Sequence, residues 1–184
     1  MKSQVTSIEQ SRRLLELKDI AGYLPHNLKM MYHEGEIWGI DAISDEIDYD
    51  NRLLPLFHFT SMKPILRPMS DLTKEITHRG DKFVPMVELA SILRPGFQWN
   101  LNEKVTGCVD ADSPRHTFWF DGNAFFTRVF IPPFSKQLER VVIEPCDHII
   151  AFDKLSEWLF DYRGLIPAGL AVDVNMLPEN PYGV

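Results

Sequence analysis

The chain has 184 residues, 45% of them hydrophobic, 24% charged and 11% aromatic, which suits one domain with a buried core and argues against a disordered protein. Its 26 acidic residues outnumber the 19 basic ones and give a net charge of −7, which argues against a general nucleic-acid-binding protein. No apolar run approaches the roughly 18 residues that span a membrane, and the amino-terminal stretch lacks the apolar core of a signal peptide, so we expect a cytoplasmic protein that does not bind membranes.

The first third of the chain predicts a helix followed by short strands. Apolar residues recur at helical spacing from Ile8 to Leu24, and Pro25 ends the predicted helix. Two apolar runs then meet at Glu34-Gly35, which predicts a hairpin turn. The acidic stretch from Asp41 to Asp50 lacks the glycine and the spacing of a calcium loop, so we interpret it as a solvated loop.

The stretch KPILRPMSDLTKEI, residues 63 to 76, predicts an extended edge segment that leads into a short helix. Pro64 and Pro68 remove two backbone donors, which keeps a segment out of the centre of a sheet. Ser70 is placed as the N-cap of the helix. Arg67, between apolar residues, is the one position here that we regard as a candidate ligand contact.

An aromatic hairpin is the clearest local pattern, and it follows a second predicted helix over residues 84–93. The runs HTFWF and AFFTRVF flank Asp121-Gly122-Asn123, residues that tolerate the positive φ of a tight turn. Large apolar side chains alternate onto both faces of this ribbon. One face is therefore expected in the core, and the other against a second element or a partner. The candidate partner-binding residues are Trp119, Phe126, Arg128 and Phe130.

The last third predicts a helix and then a strand. Asp147 is the expected N-cap of the helix and Gly164 its stop, and residues 170–175 alternate as a strand does. We therefore predict a single α+β domain over residues 1–184. It has a mostly antiparallel sheet, short helices and a longer carboxy-terminal helix, with residues 95–135 as an inserted hairpin subdomain.

Three blocks of the sequence resemble a group of small uncharacterised proteins encoded by phages, prophages and mobile elements of gut anaerobic bacteria. The blocks are PILRPMSDLTKEI, GDKFVPMVEL and LSEWLFDYRGLIPAGLAVDVNMLPENPY. Leu24-Pro25 with Leu28-Lys29 match the opening of that group, and Leu159 stands where the group usually has histidine. The residues that match its closing block are Trp158, Phe160, Asp161, Gly164, Leu165, Gly169 and Asp173.

The resemblance implies a mobile-element accessory protein in the cytoplasm of a bacterial host, and it carries over no catalytic residue. It covers more than half of the chain and leaves out the aromatic hairpin. A host protein or a phage protein is the partner that such a protein would bind.

Chemical signatures are sparse in this sequence. We find no Gly-x-Ser-x-Gly elbow and no glycine-rich phosphate loop. A zinc site is one chemical hypothesis, with the ligand types but not the usual spacing, and its residues would be Cys108, His116, Cys146 and His148. A Cys-His hydrolase is another, with Cys108 as nucleophile, His116 or His148 as base, and Asp110 or Asp147 behind the base.

We therefore expect a non-enzymatic protein that acts by protein-protein interaction and needs no cofactor. The most specific form of this expectation is inhibition of a host defence system. The competing hypothesis is a small zinc-dependent enzyme that uses the Cys/His set.

Overall fold

The computed structural model describes residues 13–32, 35–39, 62–102, 106–112, 116–130, 139–141 and 145–183. Within these residues, short helices combine with mostly antiparallel sheets in a single α+β domain, which confirms the predicted fold class. None of the helices in these ranges has the length and the apolar character needed to cross a membrane.

The helices are short except for the last. They are α1 (Leu17–Ile20), α2 (Pro85–Leu93) and α3 (Pro145–Glu157), with 3-10 helices at Ala21–His26, Met69–Asp71 and Val174–Met176. The strands in chain order are β1 (Lys29–Tyr32), β2 (Ile37–Gly39), β3 (Met62–Leu66), β4 (Ile76–His78), β5 (Asp81–Phe83), β6 (Trp99–Asn102), β7 (Gly107–Asp110), β8 (His116–Phe120), β9 (Phe125–Phe130), β10 (Glu139–Val141) and β11 (Val172–Asp173).

Within the described residues, the predicted amino-terminal helix is α-helical only at Leu17–Ile20. Glu16 is extended and forms a capping box with Asp19, so the α-helix begins at Leu17. It becomes a 3-10 helix at Ala21, which ends with Asn27 in the left-handed region. The earlier part of the prediction and the acidic loop, residues 41–50, lie outside the described residues.

The first sheet has the order β11-β3-β1-β2, which corrects the prediction of an edge segment at residues 63–68. β3 is an interior strand, antiparallel to β1 and parallel to β11. Pro64 is tolerated because β11 pairs only with Ile65 and Leu66, while Pro64 pairs with Met30 on β1 alone. Pro64 therefore lacks its N–H at a position where β11 does not pair with β3, so no hydrogen bond to β11 is lost.

The second sheet is an antiparallel meander in the order β10-β9-β8-β7-β6, and it contains the predicted aromatic hairpin. Asp121 shapes the turn, because its carboxylate accepts hydrogen bonds from the N–H groups of Asn123 and Ala124. Gly122 has a φ of 105°, as the sequence predicted for this turn. The described side chains of the core face are His116, Phe118, Phe120, Phe125 and Thr127, and those of the other face are Thr117, Trp119 and Phe126.

The predicted short helix after Ser70 is wrong. Only a 3-10 helix forms at Met69–Asp71, and the chain then enters β4. β4 and β5 make a two-residue hairpin in which Arg79 and Gly80 both have positive φ, a geometry that matches strand twist.

The carboxy-terminal helix ends earlier than Gly164. α3 begins at Pro145, so Asp147 lies in its first turn rather than at the cap. It stops at Glu157 because Leu159 takes a φ of 62°, and the Phe160 N–H then donates to the Leu155 carbonyl, 2.8 Å between N and O. The predicted strand that follows is reduced to two residues, β11.

Two apolar clusters fill the described interior. One packs α2 and α3 onto the core face of the five-stranded sheet, through residues that include Leu89, Phe118 and Leu155. The other joins the amino-terminal helices and the four-stranded sheet to residues 159–182. Tyr162 packs against both clusters, and Met69 packs against the first.

Candidate functional site

A groove of about 500 Å3 lies at the tip of the aromatic hairpin. Three segments that are distant in sequence form its walls. Its lining residues are Pro68, Met69, Ser70, Phe120, Gly122, Asp161, Tyr162, Arg163, Gly164, Ile166 and Pro167. This volume falls in the range of pockets that bind small ligands or side chains of a partner.

Main-chain pairing brings two of these segments together. The Arg67 N–H donates to the Leu159 carbonyl (2.7 Å), and the Asp161 N–H donates to the Arg67 carbonyl (2.8 Å). A parallel bridge between Arg67 and Phe160 results. The residues that follow on each side, Pro68 and Tyr162, are thereby held next to each other at the groove.

Asp161 fixes the turn that forms one wall. Its side chain is buried, and its two carboxylate oxygens accept hydrogen bonds from the N–H groups of Leu165 and Ile166, each at 2.7 Å. Both oxygens are engaged by the fold, so Asp161 orders the loop rather than presenting a carboxylate to a ligand.

Tyr162 lines the groove and is held in place by neighbouring side chains. Its ring lies 5.2 Å from the ring of Phe152 and 5.4 Å from that of Tyr23, between centroids, and its hydroxyl is 3.1 Å from the Ser156 hydroxyl. Tyr23 donates to the Phe160 carbonyl at 2.9 Å. Burial, together with the neighbouring Tyr162, raises the pKa of Tyr23 far above its usual value, so Tyr23 stays a neutral donor.

Arg163 supplies the positive charge of the groove. Its guanidinium lies over the Tyr162 ring, 5.4 Å from the centroid, and Nη1 donates to the Lys18 carbonyl at 3.1 Å. Among the described residues, no carboxylate oxygen lies within 4 Å of it. The groove therefore combines apolar side chains, Met69, Phe120, Ile166 and Pro167, with one exposed cation.

Two of the predicted partner-binding residues are brought together, on the face of the hairpin opposite the core. Trp119 and Phe126 are register partners whose rings stack, with centroids 5.3 Å apart and planes 18° apart. Both side chains are partly buried, and neither lines the groove. Arg128 and Phe130 pair through their backbones with Thr117 and Glu139, and their side chains lie outside the described set.

The Cys/His residues are arranged less favourably for chemistry. Cys108 is fully buried, its Sγ donates to the Met86 carbonyl at 3.5 Å, and burial raises its pKa to about 12. A thiol in this setting is a poor nucleophile and a poor metal ligand, because both roles need the thiolate. Asp147, proposed to orient a base, is instead paired with Arg94 at 2.7 Å.

The two histidines of that set contact different parts of the fold. His116 Nδ1 lies 3.6 Å from a carboxylate oxygen of Asp110, and its ring packs on Phe97 at 4.6 Å between centroids. His148 stacks on Phe152 in α3, and the Cys146 side chain lies outside the described set. In the part of the chain that the structure describes, no three His, Cys, Asp or Glu side chains are grouped to hold a metal.

The sequence reasoning missed the groove, although a signal for it was present. Two of the three resembling blocks contribute walls, through residues 68–70 in the first and residues of the stretch 161–167 in the last. Arg163 and Ile166 fall in these blocks but carry no pattern of their own. Comparisons with protein families, with curated proteins and with solved structures found no match to this chain.

Proposed function

We propose that the protein acts by binding a partner protein through the aromatic hairpin, with the groove at the hairpin tip receiving apolar side chains of the partner. The observation that carries this proposal is the difference between the buried polar groups of the groove and its other lining side chains. The buried carboxylate of Asp161 is engaged within the fold, whereas apolar side chains and the exposed Arg163 also line the groove. Apolar anchors beside a single arginine are typical of interface centres.

The outer face of the hairpin extends the proposed contact surface. Trp119 and Phe126 stack there, and Arg128 and Phe130 occupy the alternate positions that follow in β9. A single partner that binds along this face as far as the hairpin tip would contact both the outer face and the groove.

In its finer form, the proposal is that the partner is a host or phage protein in the bacterial cytoplasm, and that binding inhibits a host defence system. The support is the resemblance of the three sequence blocks to phage and mobile-element proteins. The competing proposal, a zinc enzyme using Cys108, His116, Cys146 and His148, has less support because the Cys108 thiol is buried and held protonated.

An affinity capture with matched variants tests the binding proposal. Tagged protein is incubated with a lysate of the bacterium that carries the gene, at low and at high salt, and retained proteins are identified by mass spectrometry. We expect one stoichiometric partner that survives high salt and is lost with Arg163→Ala plus Ile166→Ser, and with Trp119→Ala plus Phe126→Ser.

Met176→Ser is the control variant, because Met176 is 80% exposed and does not line the groove. Circular dichroism and thermal unfolding check that each variant is folded. If folded groove and hairpin variants retain the partner as well as the control does, the binding proposal is wrong.

A further inference from the structure

Three side chains form a buried polar cluster between β3, β4 and the carboxy-terminal segment. Arg67 is 3% exposed, and His78 and Tyr182 are each 5% exposed. The Arg67 Cζ lies 5.9 Å from the centre of the Tyr182 ring, and the His78 ring centre lies 6.4 Å from it. Arg67 Nη2 also donates to the carbonyl of Thr77, the residue before His78, at 2.7 Å. The three side chains therefore share one enclosed site.

Three buried nitrogen atoms of this cluster form no hydrogen bond. The Tyr182 hydroxyl is satisfied, because it donates to the Ile65 carbonyl and accepts from the Lys29 N–H. By contrast, Arg67 Nε and both ring nitrogens of His78 are buried without a hydrogen-bond partner. An imidazole carries at least one N–H, so at least two donors in the cluster lack an acceptor. Buried donors without an acceptor are rare in folded proteins, and a bound water or ion is one way to satisfy them.

The positive charge of Arg67 is only partly balanced by the described residues. Among the described residues, no carboxylate forms an ion pair with Arg67. Asp71, the acid that acts on Arg67 from nearby, is held by the Lys74 ammonium at 2.6 Å and by the Asn175 amide at 2.7 Å. A buried guanidinium without a directly paired counter-charge is disfavoured.

We propose that the Arg67–His78 cluster binds a small inorganic anion of the size of chloride, which accepts hydrogen bonds from Arg67 Nε–H and from a ring N–H of His78. A water molecule would accept the same hydrogen bonds but would bring no negative charge to Arg67. A small ion is required because the cluster is almost inaccessible from outside. The bound anion would join β3 and β4 to the segment that carries Tyr182.

The ionisation of His78 agrees with this assignment. Burial, and then the charges of Arg67 and Arg79, lower the pKa of His78 to about 4, so at neutral pH the ring is uncharged and offers one N–H. Glu157 acts on His78 in the opposite direction and His26 in the same direction as the arginines. An anion in the cluster would raise the pKa of His78, which NMR titration of its ring can follow.

Thermal unfolding in chloride and in gluconate, at equal ionic strength, tests the proposal, because gluconate is too large for the cluster. For the unaltered protein we expect a melting temperature that rises by a few degrees and saturates with chloride. Arg67→Met and His78→Phe should lose this chloride-dependent rise, whereas Arg79→Met, which removes a neighbouring cation outside the cluster, should keep it.

Bromide gives a direct test that does not depend on the variants folding. An anomalous diffraction peak at hydrogen-bond distance from Arg67 Nε, in crystals of the unaltered protein grown with bromide, would support the site. Identical melting temperatures in chloride and gluconate, or a water molecule at that position with no bromide peak, would overturn it.

Discussion

The backbone of Gly107 lies directly against Trp119 on the neighbouring strand. A Cβ built on Gly107 would come within 2.6 Å of the Trp119 Cβ and within 2.3 Å of the Phe118 carbonyl oxygen. Cross-strand Cβ atoms ordinarily lie about 4.5–5.5 Å apart, so β7 and β8 approach more closely here than any side chain allows.

Gly107→Ala is therefore expected to destabilise the protein by about 1–3 kcal/mol, because the clash involves backbone atoms that cannot move aside. Urea unfolding measures the loss. Gly183→Ala is the control, since a Cβ there meets its nearest atom at 3.4 Å. Equal stability of the two variants would show that β7 and β8 separate freely, contrary to this packing.

Asp161→Ala should destabilise the protein by about 2–4 kcal/mol, because it leaves the buried N–H groups of Leu165 and Ile166 without acceptors. Asp161→Asn keeps one acceptor oxygen and should cost less. Chemical denaturation of both variants gives the order. The exposed Asp153→Ala on α3 is the matched control, expected to change stability by less than about 0.5 kcal/mol.

Stability should depend on pH through His78. Its pKa is about 4 in the folded protein and has the ordinary value of 6.5 when the chain unfolds. Between these values the unfolded chain binds more protons, so the free energy of unfolding falls as pH decreases from 6.5 to 4. The two pKa values correspond to about 3 kcal/mol.

This contribution is fully present above pH 6.5 and is lost as pH falls through about 4. The stability difference between the unaltered protein and His78→Phe, measured from pH 7.5 to 3.5 in gluconate without chloride, isolates it from the other titrating groups. A difference that stays constant over this range would contradict the lowered pKa of His78.

Cys108 should resist modification while the protein is folded. With a pKa of about 12 it is almost entirely thiol at pH 8, and it is fully buried. Peptide mapping after treatment with iodoacetamide should find Cys108 unlabelled in native protein and labelled in denaturant. Rapid labelling under native conditions would restore the thiol as a candidate nucleophile.

Local chemistry explains the parts of the fold that the sequence predicts well. The turn at Asp121-Gly122-Asn123 is confirmed because its residues set their own φ values and hydrogen bonds. α2 begins at Pro85, a residue suited to the first helical turn. In both cases the decisive contacts join residues within a few positions of each other.

Pairing over long distances explains what the sequence does not predict. β3 is interior because a two-residue strand from the other end of the described chain pairs with it in parallel, and no local pattern marks such a pairing. The groove depends on the hydrogen bonds between Arg67 and residues 159–161. The sequence of either segment alone therefore does not predict it. α3 ends at Glu157 because the buried Leu159, two residues later, is held at positive φ, whereas residue type alone would place this stop at Gly164.

The parallel pairing of β11 with β3 has a consequence for the order of events during synthesis. Ile65 and Leu66 gain their second neighbour only when Val172 and Asp173 have been made, and the same apolar cluster also waits for Tyr182. The amino-terminal third thus leaves the ribosome about a hundred residues before its packing partners do, and non-local contacts of this kind close slowly. Until then its apolar strands stay available to chaperones, so the packing of this half of the molecule is completed only when residues 172–182 have been translated.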